Sequence, residues 1–422
     1  MCGNPRDRFA ELVGRPPEEA QFFWTGGPIE VAEGTYFASM FSGVTAFETP
    51  EGLVLVDTGL ARLAPGLAAL LRQKTAAPVH TVIYTHGHVD HAFGLAPFLL
   101  PGQAPPRIVG HRRMLARFAR YAETPRHNAH LNARQFDGRA SSAERDEFHV
   151  FGYPAHPPNV LYDDALELEV GGVHFSLWHA EGETDDHTWV HCPERGVLCP
   201  GDLFIWGVPN AGNPQKAQRY PWSWAAALRE MAGLAPHTMC PGHGGPVVGD
   251  AALVGRMLGE TAEFLELIVA RTLAAMENGS PPHVDIVRTV ELPRSSSPWL
   301  APVYDEAEFI VRTVVRHYGG WYSGRPSELK PAPRDALART VAELCGGADQ
   351  LVSRARELAT AGELALACHL ADYALEAAPG EPAVKAAVAE IYRQRALGES
   401  SLMAVNLYRS AAAYAIEGRA FA

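Results

Sequence analysis

The chain has 422 residues, of which 47% are hydrophobic, and its formal net charge is −12. A chain of this length can form about two domains, each with its own core. The negative charge argues against a nucleic-acid partner, because phosphate binding requires a basic surface. No run of residues is apolar and long enough to span a bilayer, and the first residues lack the apolar core of a secretion signal. We therefore expect a cytoplasmic protein.

Residues 1–27 are predicted to be a leader segment that packs on the main domain, because Pro16-Pro17 and Gly26-Gly27 interrupt it. Short apolar runs then alternate with helical stretches up to about residue 250. This alternation is typical of an α/β layered fold. Strands are predicted over 35–41, 53–56, 81–85, 107–110, 173–178, 189–191 and 196–199, and a helix over 64–73.

The segment His86-Gly87-His88-Val89-Asp90-His91 is the most informative part of the chain, since it holds three imidazoles and a carboxylate. A buried strand is predicted just before it and a helix over 92–100 just after it. An α/β sheet places its chemistry at such strand-to-helix turns. Imidazole and carboxylate groups are ligands of zinc and similar divalent ions. The segment therefore predicts a metal site rather than a loop with ordinary surface histidines.

Residues 111–165 are rich in Arg, His, Asn and Pro and show no periodicity, so an irregular insertion is predicted. Long loops in compact domains are often functional lids. His127 and His130 in this insertion are candidates to touch a substrate, and a solvated loop is an equal alternative.

The composition changes at Asp250, beyond which Ala, Leu, Glu and Arg dominate with helical periodicity. A long helix is predicted over 253–278, a linker follows, and helical hairpins are predicted over 335–422. Residues 361–382 resemble one tetratricopeptide-like unit, although a solenoid needs about three such units. The predicted organisation is an α/β catalytic domain over 28–290 and an all-α domain over 298–422.

The six cysteines are widely spaced and form no CxxC pair, as expected for reduced thiols. Cys240 lies close to His243 in the sequence. We interpret Cys240 as a structural thiol at the end of a buried strand, with a soft metal ligand as the alternative.

Four further motifs follow in the order of a known family. Residues 52–59 read as a buried strand that ends in an acidic turn, and three short motifs occur later: Gly182-Glu183-Thr184, Pro200-Gly201-Asp202 and Pro241-Gly242-His243-Gly244. Together with the HxHxDH pattern of residues 86–91, they resemble the metallo-β-lactamase superfamily over about residues 28–250. The resemblance implies an αββα sandwich, with the metals at one edge between its two sheets.

The resemblance also implies a pair of divalent metal ions, with zinc expected and iron or manganese as alternatives. Two such ions about 3.5–4 Å apart can activate water near neutral pH and stabilise charge on a leaving oxygen. Asp90 and Asp202 are also the predicted catalytic residues. Asp57 is expected to hold the backbone of the metal loop, and His187 to orient a ligand by a hydrogen bond. The implied ligands are His86, His88 and Glu183 at site one, Asp90, His91 and His243 at site two, and Asp202 as the bridge.

A narrower resemblance concerns the helical tail. Residues 317–326, which contain Gly320-Trp321-Tyr322, resemble the start of the dimerisation domain of alkyl sulfatases, and the likeness extends over about 298–420. Glu183 agrees with that branch, in which Glu replaces the His of most superfamily members. His179 is the rival ligand, because it also ends a predicted strand. Asp202 departs from the branch, which usually has Glu as its bridging carboxylate.

The narrower resemblance implies a homodimer that forms through the C-terminal helices and a small anionic organic substrate. In the alkyl sulfatase branch, Asn and Arg side chains after the bridging carboxylate hold the sulfate group, and a guanidinium offers a planar fork to an oxyanion. The corresponding candidates for substrate binding in this chain are Asn210, Asn213, Lys216 and Arg219.

The leading hypothesis is therefore a dinuclear-metal hydrolase of sulfate esters that uses metal-activated water. A second hypothesis keeps the hydrolase but changes the bond to a lactone, thioester, β-lactam or phosphodiester. Asp202 favours it, whereas Glu183 and the helical tail disfavour it. A third is an iron-dependent oxidoreductase, since the same ligands can hold iron. A non-catalytic scaffold built on the helical tail is the fourth, and the complete ligand set disfavours it.

Overall fold

The computed structural model describes residues 24–137, 151–280 and 285–419. The chain divides into two units, of which the first comprises residues 1–128 and 148–319 and the second 129–147 and 320–422. The first unit thus includes residues 298–319 from the range predicted for the all-α domain. Residues 1–23 of the predicted leader lie outside the described residues. Within the described ranges, no helix has the length and apolarity needed to cross a membrane.

The first unit contains a seven-stranded sheet whose strands follow chain order from β1 to β7. Its first four strands pair antiparallel, and the pairs from β4 to β7 are parallel. The parallel strands β4 and β5 are short and almost wholly buried, which explains their continuous apolar sequences. The strands are β1 Gly26–Ala32, β2 Thr35–Met40, β3 Ser42–Thr49, β4 Gly52–Val56, β5 Val79–Ile83, β6 Arg107–His111 and β7 Val160–Tyr162.

A second, five-stranded sheet has the order β12-β11-β10-β9-β8. Its pairs are antiparallel except for β11 with β12, which run parallel. The parallel pair places the ends of β11 and β12 side by side at one edge of the sheet. These strands are β8 Ala165–Val170, β9 Val173–Ala180, β10 His187–Cys192, β11 Val197–Ile205 and β12 Thr238–His243.

The two sheets face each other across a continuous apolar core. Phe47 of β3 and Phe175 of β9 meet edge to face across this core, with ring centroids 5.1 Å apart. Helices cover the outer faces, so the predicted αββα sandwich is confirmed. The helices of this unit are α1 Ala64–Leu71, α2 Val89–Ala92, α3 Arg113–Glu123, α4 Pro125–Asn132 (whose last residues belong to the second unit), α5 Pro221–Gly233, α6 Ala251–Glu277, α7 Ile286–Thr289 and α8 Ala307–Tyr318.

Two predictions of secondary structure were wrong. The helix expected over 92–100 is limited to the single turn α2, followed by a 3-10 turn at Ala96–Phe98. Gly94 packs against the backbone oxygens of Thr58 and Gly59, and Pro97 cannot continue a helical hydrogen-bond ladder. The insertion expected to be irregular contains α3 and α4, because Met114, Phe118 and Tyr121 recur at helical spacing and are buried.

The second unit is helical in its described part, which confirms the predicted all-α tail. Its helices pack through small and branched apolar residues, among them Ala355, Ala371 and Val388. Asn406 of the last helix also donates a hydrogen bond to the backbone oxygen of Gln135, 2.8 Å away. Its helices are α9 Pro326–Leu329, α10 Arg334–Cys345, α11 Ala348–Thr360, α12 Leu364–Ala377, α13 Pro382–Leu397 and α14 Leu402–Glu417, and a π-helical turn is formed by Ala133–Asp137.

Candidate metal centre

Asp57 connects the ends of two neighbouring strands beneath the metal loop. It follows β4 with a left-handed φ of 61° and is buried. Its Oδ1 accepts a hydrogen bond from the backbone N–H of Thr85, and its Oδ2 accepts one from the Thr85 hydroxyl, both at 2.7 Å. Asp57 therefore fixes the backbone at the end of β5, from which the loop of residues 86–91 departs.

His91 and His243 are each oriented by a hydrogen bond at Nδ1. Nδ1 of His91 lies 2.8 Å from Oδ2 of Asp57, and Nδ1 of His243 lies 2.8 Å from the backbone oxygen of Phe41. Each Nδ1 therefore carries the proton in the neutral ring, because both partners are acceptors. The opposite nitrogen, Nε2, is left as a potential metal ligand on both rings.

The first group of potential ligands comprises His86, His88, Glu183 and Asp202, whose donor atoms all lie within 4.8 Å of one another. Nε2 of His86 lies 2.9 Å from Nδ1 of His88 and 3.8 Å from Oδ2 of Asp202. Nδ1 of His88 lies 3.6 Å from Oε1 of Glu183. These separations are those of atoms that share one small coordination sphere.

The second group comprises Asp90, His91 and His243, again within 4.8 Å of one another. Oδ2 of Asp90 lies 3.4 Å from Nε2 of each histidine. Asp202 faces this group as well, with Oδ1 3.2 Å from Nε2 of His91 and Oδ2 3.3 Å from Nε2 of His243. Asp202 thus lies between the two groups, in the position of a bridging carboxylate.

The donor set fits divalent metal ions. Nε2 of His91 and Oδ1 of Asp202 are buried, and neither makes a hydrogen bond of regular geometry with any residue in the described part of the chain. Burial holds the pKa values of His86 and His88 well below the usual range, so both rings are neutral. The neighbouring histidines lower the pKa of His86 further, and the charges of Arg117 and Arg219 lower that of His88. Burial and the nearby Asp202 raise the pKa of Glu183. Imidazoles and carboxylates are the groups that bind divalent ions, and both kinds are concentrated here around two small volumes.

The seven potential ligands, which together we call the cage, are exposed to solvent on one side. The side chains of His88 and Asp90 are 18% and 13% exposed, whereas those of the other five potential ligands are between 0% and 6% exposed. A substrate would therefore approach over His88 and Asp90. Three of the seven potential ligands are carboxylates, so two divalent ions would leave the cage with one net positive charge.

Glu183 is held by residues of the loop between β11 and α5. Asn210 donates a short hydrogen bond from Nδ2 to Oε1 of Glu183, and Arg219 donates one to the same oxygen over 3.3 Å. Nδ2 of Asn213 lies 3.3 Å from Oδ1 of Asn210. The three residues predicted to bind substrate are thus buried around Glu183, which the sequence did not indicate.

Lys216, the fourth predicted substrate residue, is half-buried on the same loop, and its Nζ lies 5.9 Å from the centre of the Phe151 ring. Burial and, to a lesser extent, the neighbouring Arg219 charge lower the pKa of Lys216 to about 7. His187 stacks on His86 with ring centroids 4.6 Å apart and contacts the backbone oxygen of Pro200 through Nε2. His187 thus packs behind a potential ligand by ring stacking, and its Nε2 bonds to the protein backbone instead of making the hydrogen bond to a ligand that was expected.

The alternatives to these assignments lie elsewhere. His179 bonds through Nδ1 to the backbone oxygen of His187 and stacks on His111 at 3.8 Å, and it is in neither ligand group. Cys240 is buried and also outside both groups, which are drawn from the described part of the chain. His127 and His130 are exposed on α4.

Arg117 is a site-related residue that the sequence analysis missed. It lies on α3 with a relative exposure of 6%, and its Nε donates to Oδ2 of Asp186 over 2.8 Å. A Cβ at Gly87 would lie 2.7 Å from Cδ of Arg117, so this side chain packs directly beneath the metal loop. The available signal was an arginine within the apolar stripe of Met114, Phe118 and Tyr121.

Comparison with known proteins gives two family matches. Residues 41–243 match the metallo-beta-lactamase superfamily, and residues 283–418 match the alkyl sulfatase dimerisation family. The first match contains all seven residues of the two ligand groups.

Individual relatives agree with these matches. The chain is 27% identical over 346 residues to a linear primary-alkylsulfatase of Pseudomonas sp. (strain ATCC 19151), covering 78% of this chain and 65% of the relative. It is 25% identical over 345 residues to the alkyl/aryl-sulfatase BDS1 of Saccharomyces cerevisiae, covering 74% and 52% respectively. The chain therefore spans about two thirds or less of the length of these relatives.

A solved structure shows the same fold. The stereoselective inverting sec-alkylsulfatase Pisa1 from Pseudomonas sp. superposes with a TM-score of 0.80 at 22% identity. The likeness covers 92% of this chain and 65% of that one. It therefore includes both the sandwich and most of the helical tail.

Proposed function

Because the chain belongs to the metallo-beta-lactamase superfamily and carries an alkyl sulfatase dimerisation domain, we propose that it is a dinuclear-metal hydrolase of sulfate esters. The relatives named above are sulfatases of alkyl and aryl esters, which supports this bond class. The substrate we propose is a small organic molecule that carries one sulfate group.

The observation that carries the proposal is the position of Glu183 in the ligand set. Its carboxylate lies 3.6 Å from His88 and in one group with His86 and Asp202. A carboxylate at this position distinguishes the chain from superfamily members that have histidine there, and it agrees with the match of the tail to the alkyl sulfatase dimerisation family.

The side chains around the cage have separable roles in this reaction. Two bound divalent ions would supply activated water and would stabilise the negative charge that develops on the leaving oxygen. Asp57 keeps His91 in the tautomer that presents Nε2, and the Phe41 backbone oxygen does the same for His243. Asp90 and Asp202 would hold the ions together with these two imidazoles, whose Nε2 atoms lie 3.2 and 3.4 Å from carboxylate oxygens, so the ligands are in place before substrate arrives.

Arg219 is the group we propose to bind the sulfate. It is 2% exposed, and one of its terminal nitrogens bonds to Glu183. Its Nε has no hydrogen-bond partner among the described residues, so the guanidinium retains a donor for an anion. A planar guanidinium matches the oxygens of a sulfate group and stays charged throughout the reaction.

Sulfate release from a panel of alkyl and aryl sulfates tests the proposal. The purified protein should be loaded separately with zinc, manganese and iron, and inorganic sulfate should be measured by ion chromatography. We expect turnover of at least one sulfate ester, and loss of turnover in His88→Ala. Absence of sulfate release from every ester with every metal would overturn the assignment.

A second candidate function is hydrolysis of another ester class: a lactone, thioester, β-lactam or phosphodiester. Asp202 favours it, because the alkyl sulfatase branch usually has Glu as its bridging carboxylate. Chromogenic substrates of these four classes, run beside the sulfates with the same metal-loaded protein, separate the two candidates. Turnover of one of them with no sulfate release would support the second function.

Two further properties belong to the proposal. We expect zinc in the cage, since imidazole and carboxylate ligands suit it, and elemental analysis of protein purified without added metal checks the identity. We also propose that the protein forms a homodimer through its C-terminal helices. Sedimentation at several protein concentrations measures this, and a monomer at micromolar concentration would contradict it.

A further inference from the structure

The loop that reaches Glu183 is covered by a later part of the same unit. This loop, residues 206–220, is crossed by residues 301–318, which include α8. The N–H of Val208 donates to the backbone oxygen of Ala301 over 2.9 Å, and the Thr313 hydroxyl donates to the backbone oxygen of Gly212 over 2.8 Å. The two segments are therefore joined by hydrogen bonds at several points along the loop.

Asp305 makes the most specific of these connections. Its side chain is fully buried, and Oδ2 accepts hydrogen bonds from the backbone N–H groups of Gly212 and Asn213, at 2.6 and 3.2 Å. Oδ1 accepts one from the N–H of Glu306 at 2.7 Å. Both carboxylate oxygens are thus used, and two of the three donors belong to the loop that holds Glu183.

Burying this carboxylate is unfavourable in itself. Burial raises the pKa of Asp305 to about 7, although the three N–H donors lower it. An apolar residue would avoid that cost, so packing alone does not explain why a carboxylate is buried at residue 305. The hydrogen bonds to the loop explain it, because only a hydrogen-bond acceptor can bind the consecutive N–H groups of Gly212 and Asn213.

The loop is also tightly packed at Gly212. A Cβ at Gly212 would lie 2.4 Å from Cβ of Phe309 and 2.8 Å from Oδ1 of Asp305. Asn210 is two residues earlier on this fixed backbone, where it donates its hydrogen bond to Glu183. A continuous chain of contacts therefore leads from Asp305 through the loop to a potential metal ligand.

We infer that Asp305 is a positioning residue of the metal centre, which acts through the Gly212–Asn213 backbone and Asn210 to hold Glu183 in place. The inference rests on the role of Glu183 as a ligand in the proposed function. Asp305 lies within residues 283–418, the range matched to the dimerisation family, and also within the first unit. Part of the range matched to the dimerisation family therefore helps to position a ligand of the metal centre.

Cobalt binding tests the inference without a substrate. Metal-free full-length protein is titrated with Co²⁺, and the visible absorption bands report the occupancy and geometry of each site. Loss of a residue that hydrogen-bonds to a metal ligand typically lowers metal affinity by about 10- to 100-fold. In Asp305→Ala we expect one Co²⁺ site to weaken by at least about tenfold, while the other site keeps its affinity within about twofold. Asp305→Asn should be intermediate, since it keeps one acceptor oxygen.

Asp250→Ala is the matched control. Asp250 also accepts a backbone hydrogen bond, from Leu253 at 2.9 Å, but it does so at the start of α6 rather than on the loop. Its loss should lower the melting temperature and leave both Co²⁺ affinities and the absorption bands unchanged. A purely structural role of Asp305 would produce this same result.

If Asp305→Ala does not fold, a double-mutant cycle with Asp305→Asn still tests the inference. Asp305→Asn and Asn210→Ala act along one path, so the double variant should weaken cobalt binding no more than Asn210→Ala alone. Additive losses, or wild-type affinities in a folded Asp305→Ala protein, would overturn the positioning role and leave the proposed function standing. Failure of the wild-type protein to bind Co²⁺ would overturn both.

Discussion

Gly242 is in such close contact with Asp202 that a Cβ built on Gly242 would lie 1.9 Å from Oδ1 of Asp202. The same Cβ would lie 2.8 Å from the carbonyl carbon of Gly201, so neither β11 nor β12 leaves room for it. Gly242 contacts Asp202 and is followed directly by His243, so it lies between two potential metal ligands. The absence of a side chain at residue 242 lets Asp202 stand between the two ligand groups.

Gly242→Ala should therefore displace Asp202 and disrupt the metal pair. We expect the bound metal to fall from two ions to one or fewer and turnover to drop by at least about 100-fold, as for losses of ligand geometry. Elemental analysis and sulfate release measure the two effects on the same sample.

The control is Gly255→Ala in the second turn of α6, where a Cβ would meet no atom within 4 Å. Alanine favours a helix over glycine by about 0.8–1.0 kcal/mol, so this variant should be as stable as the wild type or more so, with full metal content. Two bound ions and normal turnover in Gly242→Ala would show that Asp202 does not need its present position.

The buried pair of Arg117 and Asp186 should contribute strongly to stability. Burial alone would favour the neutral forms, but each group keeps the other charged, so that the pKa of Asp186 is lowered and that of Arg117 is raised. Arg117→Ala would leave a buried carboxylate without its partner, which costs about 3–5 kcal/mol of unfolding free energy. Urea denaturation measures this loss.

Arg112→Ala is the appropriate comparison, because Arg112 also contacts a carboxylate, that of Asp163, through two nitrogens. That pair is exposed to solvent, so its loss should be small. Equal effects of the two substitutions would contradict the view that Arg117 is a buried support of the metal loop.

The parts of the site that could be predicted from sequence are local. His86, His88, Asp90 and His91 occur within one turn after a buried strand, so this group is visible without knowledge of the fold. Glu183 lies between β9 and β10, Asp202 within β11 and His243 at the end of β12, and their assignment depends on the resemblance to the metallo-β-lactamase superfamily. An α/β layered fold could be predicted for the same reason, since apolar runs and helical periods are short-range signals, whereas the αββα sandwich was implied by the resemblance to the superfamily.

Contacts between distant residues could not be predicted. Arg117 meets Asp186 across 69 residues, and Asp305 meets Gly212 across 93. No periodicity links such positions, so Asn210 and Arg219 were interpreted as substrate contacts and not also as partners of Glu183. The helix expected over 92–100 was wrong because Gly94 packs against the Thr58 backbone, a tertiary contact that overrides the local apolar pattern.

Removal of metal should destabilise the protein. Three carboxylates converge in the cage. Burial raises the pKa of Glu183, and the negative charge of Asp202 raises it further, which indicates that the two carboxylates repel each other when no cation is bound. A ligand present at 1,000 times its dissociation constant stabilises the folded state by about 4 kcal/mol. Calorimetry with and without a chelator should therefore show a large drop in melting temperature.

His88→Ala serves as the control for chelation, since it already lacks one of the seven potential ligands. Its melting temperature should respond less to the chelator than that of the wild type. An equal response of both proteins would mean that the stabilising metal is bound somewhere other than the cage.

The second unit should become less stable as pH rises from about 4 to about 6. Burial raises the pKa of Asp372 on α12 to about 6, and the Tyr392 hydroxyl of α13 donates a hydrogen bond to it. The ordinary pKa of Asp is about 3.9, so the folded state binds this proton more tightly than the unfolded state. Its stabilising effect is complete below about pH 4 and is lost as pH rises through about 6, by at most about 3 kcal/mol.

Asp372→Asn isolates this group, because an amide oxygen still accepts the Tyr392 hydrogen bond but cannot titrate. Hydrogen exchange of residues 364–397, followed by mass spectrometry at constant intrinsic exchange rate, measures the local stability of both proteins between pH 4 and 8. Protection should fall with pH in the wild type by more than in Asp372→Asn, and the difference should level off above about pH 7, where Asp372 is ionised. Parallel pH profiles would show that the folded protein does not raise the pKa of this carboxyl group, and the interaction with Tyr392 would then be that of an ordinary ionised aspartate.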